Sequence, residues 1–145
     1  MRLLIQRVKF ASVEVEGRII GEIERGLLVF LGIKETDDGS EIAWLANKLV
    51  GLRIFEDEAD KMNLSVQEIG GEILLVSQFT LYADCSNGRR PGFTEAARPE
   101  KAEAMYEKFI IELEKLGMPP QTGKFQAKMQ VRLENDGPVT MLLER

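Results

Sequence analysis

The chain has 145 residues, 44% hydrophobic and 30% charged, with a formal net charge of −5, one cysteine and no histidine. That length and composition predict one globular domain over residues 1–145, and the apolar runs at 26–33 and 73–76 are far too short to cross a bilayer, so no membrane partner is expected. A lone Cys85 excludes an intrachain disulfide and suits a reducing cytosol, the absence of histidine removes Ser-His-Asp and Cys-His catalysis, and the acidic balance argues against a protein that wraps a long nucleic acid.

The segment Met1 to Arg7 lacks a sustained apolar stretch with a small-residue cleavage site, so no signal peptide is expected and the location is expected to be cytoplasmic. Arg7 to Val15 reads as a strand, with a change of phase at Ala11-Ser12 that marks a bulge. Glu16-Gly17 is a hairpin turn, Arg18 to Ile23 pairs back, and Leu27 to Ile33 is apolar enough to be buried on both faces. After the turn-rich 36–40 segment, Ile42, Leu45, Ala46 and Leu49 recur at helical spacing, with Asp and Ser residues in place to cap the start. Leu52 to Phe55 reads as a short strand. The Gly70-Gly71 turn leads into a longer strand, Glu72 to Tyr82.

A loop with Asn87-Gly88 and Pro91 precedes a second helix, opened near Pro99 and ended by Gly117. Its inner face carries Ala102, Met105, Tyr106, Phe109, Ile110 and Leu113. Phe125 to Leu133 and Val139 to Leu143 read as a last strand pair around Asn-Asp-Gly-Pro. The sum is an α+β domain, an antiparallel, barrel-like meander of strands with two main helices and no internal repeat.

Few side chains offer conventional chemistry. Glu56, Asp57, Glu58 and Asp60 form an acidic stretch that reads as a solvated loop, since no His, Cys or second carboxylate group stands at ligand spacing; no metal is expected. Neither a Walker loop nor a dinucleotide fingerprint occurs, so no cofactor is expected. Cys85 has no His partner, and the hydroxyls of Ser77 and Thr80 have no base beside them in sequence. Basic residues gather at Arg89, Arg90, Arg98 and Lys101, and again at Lys124, Lys128 and Arg132; two small patches of this kind suit contact with one end of an RNA, or are simply solvated surface.

Two strings stand out: Ser77-Gln78-Phe79-Thr80-Leu81, followed by Tyr82-Ala83-Asp84, and Asn135-Asp136-Gly137-Pro138-Val139-Thr140. With Lys61-Met62-Asn63-Leu64-Ser65, Arg90-Pro91-Gly92-Phe93 and Thr122-Gly123-Lys124-Phe125 in the same order, the chain resembles the D-aminoacyl-tRNA deacylases over nearly its whole length. The resemblance implies that family's fold and the hydrolysis of the ester joining a D-amino acid, or glycine, to the terminal adenosine of tRNA. It implies main-chain N–H groups of Phe79 and Thr80 as oxyanion donors, where loss of one such donor typically costs ~3 kcal/mol of transition-state stabilisation. Gln78 and Ser77 are implied as neighbours of the ester, and Phe125 and Met129 as packing on the terminal adenine.

The resemblance further implies that Gly137-Pro138 is cis and enters the partner subunit's site in a homodimer, where its carbonyls capture the substrate ammonium and fill the space of an L side chain. Thr80 as nucleophile ranks below attack by water assisted by the ribose hydroxyl, because no base is visible. Two positions depart from the family pattern: Gln126 stands where Gly or Ala commonly follows the Phe, and Asp60 where Gly commonly precedes Lys-Met-Asn. A non-catalytic RNA-end or nucleic-acid binding module on the same fold is the alternative, and editing of a mischarged L-aminoacyl-tRNA is a third reading that the intact Gly-Pro string argues against.

Overall fold

The computed structural model describes residues 1–145, and its spine is one long strand, β1 (Arg2–Val15). On one side β1 pairs antiparallel first with β3 (Gly26–Gly32) and then with β2 (Arg18–Ile23); on the other it pairs with β8 (Gln130–Glu144). The strand thus begins five residues before the expected Arg7, because Leu3 and Ile5 alternate into the core ahead of it. Its irregularities also fall elsewhere than Ala11-Ser12. The β8 register shifts at Arg7 and again between Val8 and Phe10, and the β2 register shifts between Val13 and Glu14. Leu3 and Ile5 enter a large core cluster, whereas Val8, Ala11 and Val13 enter a smaller one.

β3 joins β6 (Glu72–Ser77), which joins β7 (Gln121–Thr122). Both of these pairings are parallel, so the sheet is mixed where uniform antiparallel pairing was expected. Burial explains the apolar runs: Leu27, Val29, Leu31, Ile73 and Leu75 face the helices, while Leu28, Leu74 and Val76 fill the opposite side. The sheet curls until β2 meets β7, with Gly21 lying so close that a Cβ there would stand 2.7 Å from the Thr122 carbonyl oxygen. This near-closure gives the barrel-like form.

The first helix, α1 (Ile42–Gly51), buries Ile42, Leu45, Ala46 and Leu49 as their spacing predicts. Its start is not capped by Asp or Ser: the N-cap is Glu41, and Asp38 instead accepts the Ser40 N–H within the preceding loop. The second helix, α2 (Pro99–Lys115), opens on Pro99 and buries Ala102, Met105, Tyr106, Phe109 and Leu113, with Ile110 half-buried. The expected strand at 52–55 shrinks to β4 (Phe55–Glu56), paired with β5 (Met62–Leu64) around the acidic loop. No helix is long and apolar enough to cross a membrane.

Candidate active site

β6 stops at Ser77, not at Tyr82 as the apolar pattern suggested. The Gln78 N–H makes a last bond to the Leu31 carbonyl, after which Phe79–Tyr82 winds into a 3-10 turn. Gly32 permits this, since a Cβ there would sit 3.0 Å from the Leu81 Cβ and 3.2 Å from the Gln78 carbonyl oxygen. The first N–H satisfied inside the turn is that of Leu81, which donates to the Gln78 carbonyl. The N–H groups of Phe79 and Thr80 precede it and are left outside the turn's own bonding, as at the start of any helix.

The end of β6 opens on a cavity of about 750 Å³. Ser77, Gln78 and Phe79 form one wall; Phe125, Gln126 and Met129 form another, and the entry to α2 closes a third with Ala97 and Pro99. No lining residue carries an ionisable side chain. Phe79 is 55% exposed and meets Phe93 edge-on at 5.0 Å between centroids, making an aromatic rim. Behind the other wall, Tyr106 packs against Phe125 at 6.2 Å and donates its hydroxyl to the Leu75 carbonyl at 2.7 Å; burial pushes its pKa well up, so it stays a neutral donor.

Of the eight residues singled out in sequence, the cavity gathers Ser77, Gln78, Phe79, Phe125 and Met129. Thr80 lies on the adjoining turn, exposed, its hydroxyl accepting a hydrogen bond from the Gln78 side-chain amide. Phe125 to Met129 is not strand but a turn-rich segment, because Gln126 adopts φ +60° and an extended chain cannot pass through it. Gly123 gives room to this segment, since a Cβ there would lie 2.6 Å from the Met129 sulfur.

Gly137 and Pro138 are not in the cavity wall. They belong to a bulge, for β8 runs continuously from Gln130 to Glu144 where a hairpin around Asn-Asp-Gly-Pro was expected. Asn135 pairs with Val8 and Thr140 with Gln6, so the four residues 136–139 stand opposite Arg7 alone. The Asn135 side-chain amide replaces the missing ladder bonds by donating to the carbonyls of Arg7 and Val139 at 2.9 and 3.1 Å. The Gly137-Pro138 peptide is cis, and a Cβ on Gly137 would be 2.1 Å from the Val139 nitrogen.

Arg7 was passed over in sequence as an ordinary strand residue. It is 4% exposed. Its Nε donates to the Asp136 carbonyl at 3.0 Å and lies 3.2 Å from the Asp136 carboxylate, and its Nη1 donates to the Ile54 carbonyl at 2.6 Å. The available signal was an arginine continuing the inward alternation of Leu3 and Ile5. Arg2 was missed likewise: it bonds Glu144 and the Leu81 carbonyl, both at 2.8 Å, and lies over the Tyr82 ring, tying the 3-10 turn to β8.

Known proteins place this architecture. The family profile for D-Tyr-tRNA(Tyr) deacylase matches residues 4–144. A D-aminoacyl-tRNA deacylase of Thermotoga petrophila is 57% identical over 144 residues, covering 99% of this chain and 97% of that protein, and one of Koribacter versatilis is 58% identical over the same spans. A solved structure described as c-Myc DNA Unwinding Element Binding Protein superposes with a TM-score of 0.94 at 43% identity, covering 100% of this chain and 99% of that one. A probable eukaryotic D-amino acid tRNA deacylase shares the fold with a TM-score of 0.82 at 18% identity, covering 98% and 97%. The chain belongs to the D-Tyr-tRNA(Tyr) deacylase family.

Proposed function

We propose that this single domain hydrolyses the ester of D-aminoacyl-tRNA, and of glycyl-tRNA, to free amino acid and tRNA, and so performs chiral proofreading in the cytoplasm. One observation carries the reading: the main-chain N–H groups of Phe79 and Thr80 make no backbone hydrogen bond, and Phe79 lines a cavity without an ionisable side chain. Such a site lacks any base to make a nucleophile of a side chain. It suits a substrate that is already an activated ester and brings its own vicinal ribose hydroxyl to organise the attacking water. The Phe79 and Thr80 donors then stabilise the oxyanion, each such contact being worth ~3 kcal/mol. Gln78 and Ser77 border the ester and ribose, and Phe125 and Met129 pack on the adenine.

In this reading selectivity comes from Gly137 and Pro138 of a partner subunit, whose carbonyls bind the substrate ammonium and exclude an L side chain. Their absence from the cavity of their own chain supports a homodimer with each site completed across the interface. The bulge lies on an edge strand with Met141 37% and Leu142 58% exposed, a surface that a second copy would cover.

The DNA-binding description of one structural relative motivates a second reading, a nucleic-acid binding module without catalysis, against which the family match and the curated deacylase relatives weigh. Deacylation of D-Tyr-tRNA and Gly-tRNA decides between them: release well above the spontaneous rate supports the hydrolase, whereas binding without acceleration supports the module.

A further inference from the structure

The segment Phe125, Gln126 and Ala127 is a ridge with a cavity on each side. Beyond the site described above, the far side opens into a second depression of about 490 Å³, walled by the tip of the β1–β2 hairpin at Glu16-Gly17 and by Lys124, Lys128 and Gln130. Lys124 and Lys128 are exposed and neither takes part in an ion pair or a side-chain hydrogen bond. Elsewhere in the two basic stretches Arg132 is held by Glu14 at 3.3 Å, and Lys101 donates to the Glu35 carbonyl. The one acid in the depression, Glu16, is not within ion-pairing distance of either lysine. In a chain of net charge −5, two unpaired ammonium groups against one carboxylate leave this depression with a positive balance.

We propose that this second depression binds the sugar–phosphate backbone immediately 5′ of the terminal adenosine, with Lys124 and Lys128 contacting phosphates and Gln126 contacting the linking ribose-phosphate across the ridge. A nucleotide chain whose 3′ adenosine occupies the first cavity must leave it somewhere, and this exit shares three residues with that cavity. Ammonium groups on flexible stems suit phosphate as point charges without reading the base. Gln126 belongs to both walls and carries a donor and an acceptor on one amide. The inference rests on the first cavity being the aminoacyl-adenosine site, and it adds a phosphate subsite to it.

The probes are the tetranucleotide 5′-ACCA-3′ and adenosine, titrated against the wild-type chain and the Lys124→Gln/Lys128→Gln double variant over a range of salt. Wild type is expected to bind ACCA at least about tenfold more tightly than adenosine, with log K falling against log salt at a slope near −1.4, about 0.7 for each of two phosphate contacts. The double variant is expected to lose most of that preference and of that slope. Equal affinity of wild type for the two probes, or a double variant that keeps both preference and slope, overturns the proposal. Deacylation of D-Tyr-tRNA by wild type separates the two readings. An inactive protein that still binds ACCA through its lysines refutes the deacylase and supports the subsite, whereas an active one whose ACCA binding ignores the lysines overturns the subsite alone.

Discussion

Thr80 shows how the position of a residue can matter more than its side chain. Its hydroxyl is engaged by Gln78 outside the cavity wall, while its N–H lies at the start of a 3-10 turn. Thr80→Ala is therefore expected to keep substantial single-turnover activity. Thr80→Pro is expected to abolish it, because proline removes the N–H and disfavours the helical conformation of Phe79 before it. Circular dichroism should show both variants folded overall, since any disturbance is confined to the four-residue turn Phe79–Tyr82. Loss of activity in a folded Thr80→Ala would revive a hydroxyl nucleophile. Arg7 is the opposite case, a side chain whose partners depend on it: Arg7→Ala strands the Ile54 and Asp136 carbonyls, and denaturant unfolding should report a loss of about 2–4 kcal/mol. The two departures from the family pattern also acquire a physical sense at this scale. Asp60 and Gln126 both adopt positive φ, 56° and 60°, the backbone region where glycine is least strained.

Among the elements, those with a clean period were legible in sequence and those defined by distant partners were not. α1, α2, β2 and β3 follow their 3.6- or two-residue patterns to within a residue or two at their ends. The end of β6 was invisible because Phe79 and Leu81 continue the apolar run of Ile73 to Val76, and only the close packing of Gly32 shows why the chain turns there. The continuity of β8 was hidden by a string that reads as a turn, since its pairing partner, Arg7 with its neighbours, lies at the other end of the chain. The acidic loop between β4 and β5 was read as solvated, and its Asp57 proves to organise it: the carboxylate accepts from Asn63 at 2.7 Å, Ala59 N–H at 2.8 Å and Lys61 N–H at 3.1 Å. The Asn63 hydrogen bond, followed by those from the backbone, holds Asp57 below the ordinary aspartate pKa of 3.8. A lowered folded-state pKa means that its contribution is present above that value and is lost as pH falls through the folded one. The protection of amides in 55–64, measured against their intrinsic exchange rates at each pH, should fall on such acidification, and Asp57→Ala should remove it already at neutral pH. Protection there that is indifferent to both changes would show that the loop is held by something else.

At the scale of the whole molecule, the cavity draws its walls from residues 31 to 131, so five of the sequence candidates could be named by motif but not assembled by it. Gly137 and Pro138 remain apart, and the chiral proposal depends on a second chain bringing them in. Activity should then follow the dimer across a dilution series, and a fully active monomer in sedimentation at assay concentration would refute the shared site. Chirality tests the same geometry more sharply. A methylene misplaced in an apolar pocket is typically worth ~1–3 kcal/mol, whereas main-chain atoms that clash with an L side chain and also forfeit the ammonium contact give a larger rejection. Wild type should therefore cleave D-Tyr and Gly esters while leaving L-Tyr-tRNA close to its spontaneous rate. Gly137→Ala should damage capture and exclusion together, because a Cβ 2.1 Å from the Val139 nitrogen forces the bulge to rearrange. Measured under single-turnover conditions, the variant is expected to lose rate on D-Tyr-tRNA and to narrow the gap between D and L. Wild-type hydrolysis of L-Tyr-tRNA at a rate comparable to D-Tyr-tRNA would overturn selection by exclusion even in an active deacylase.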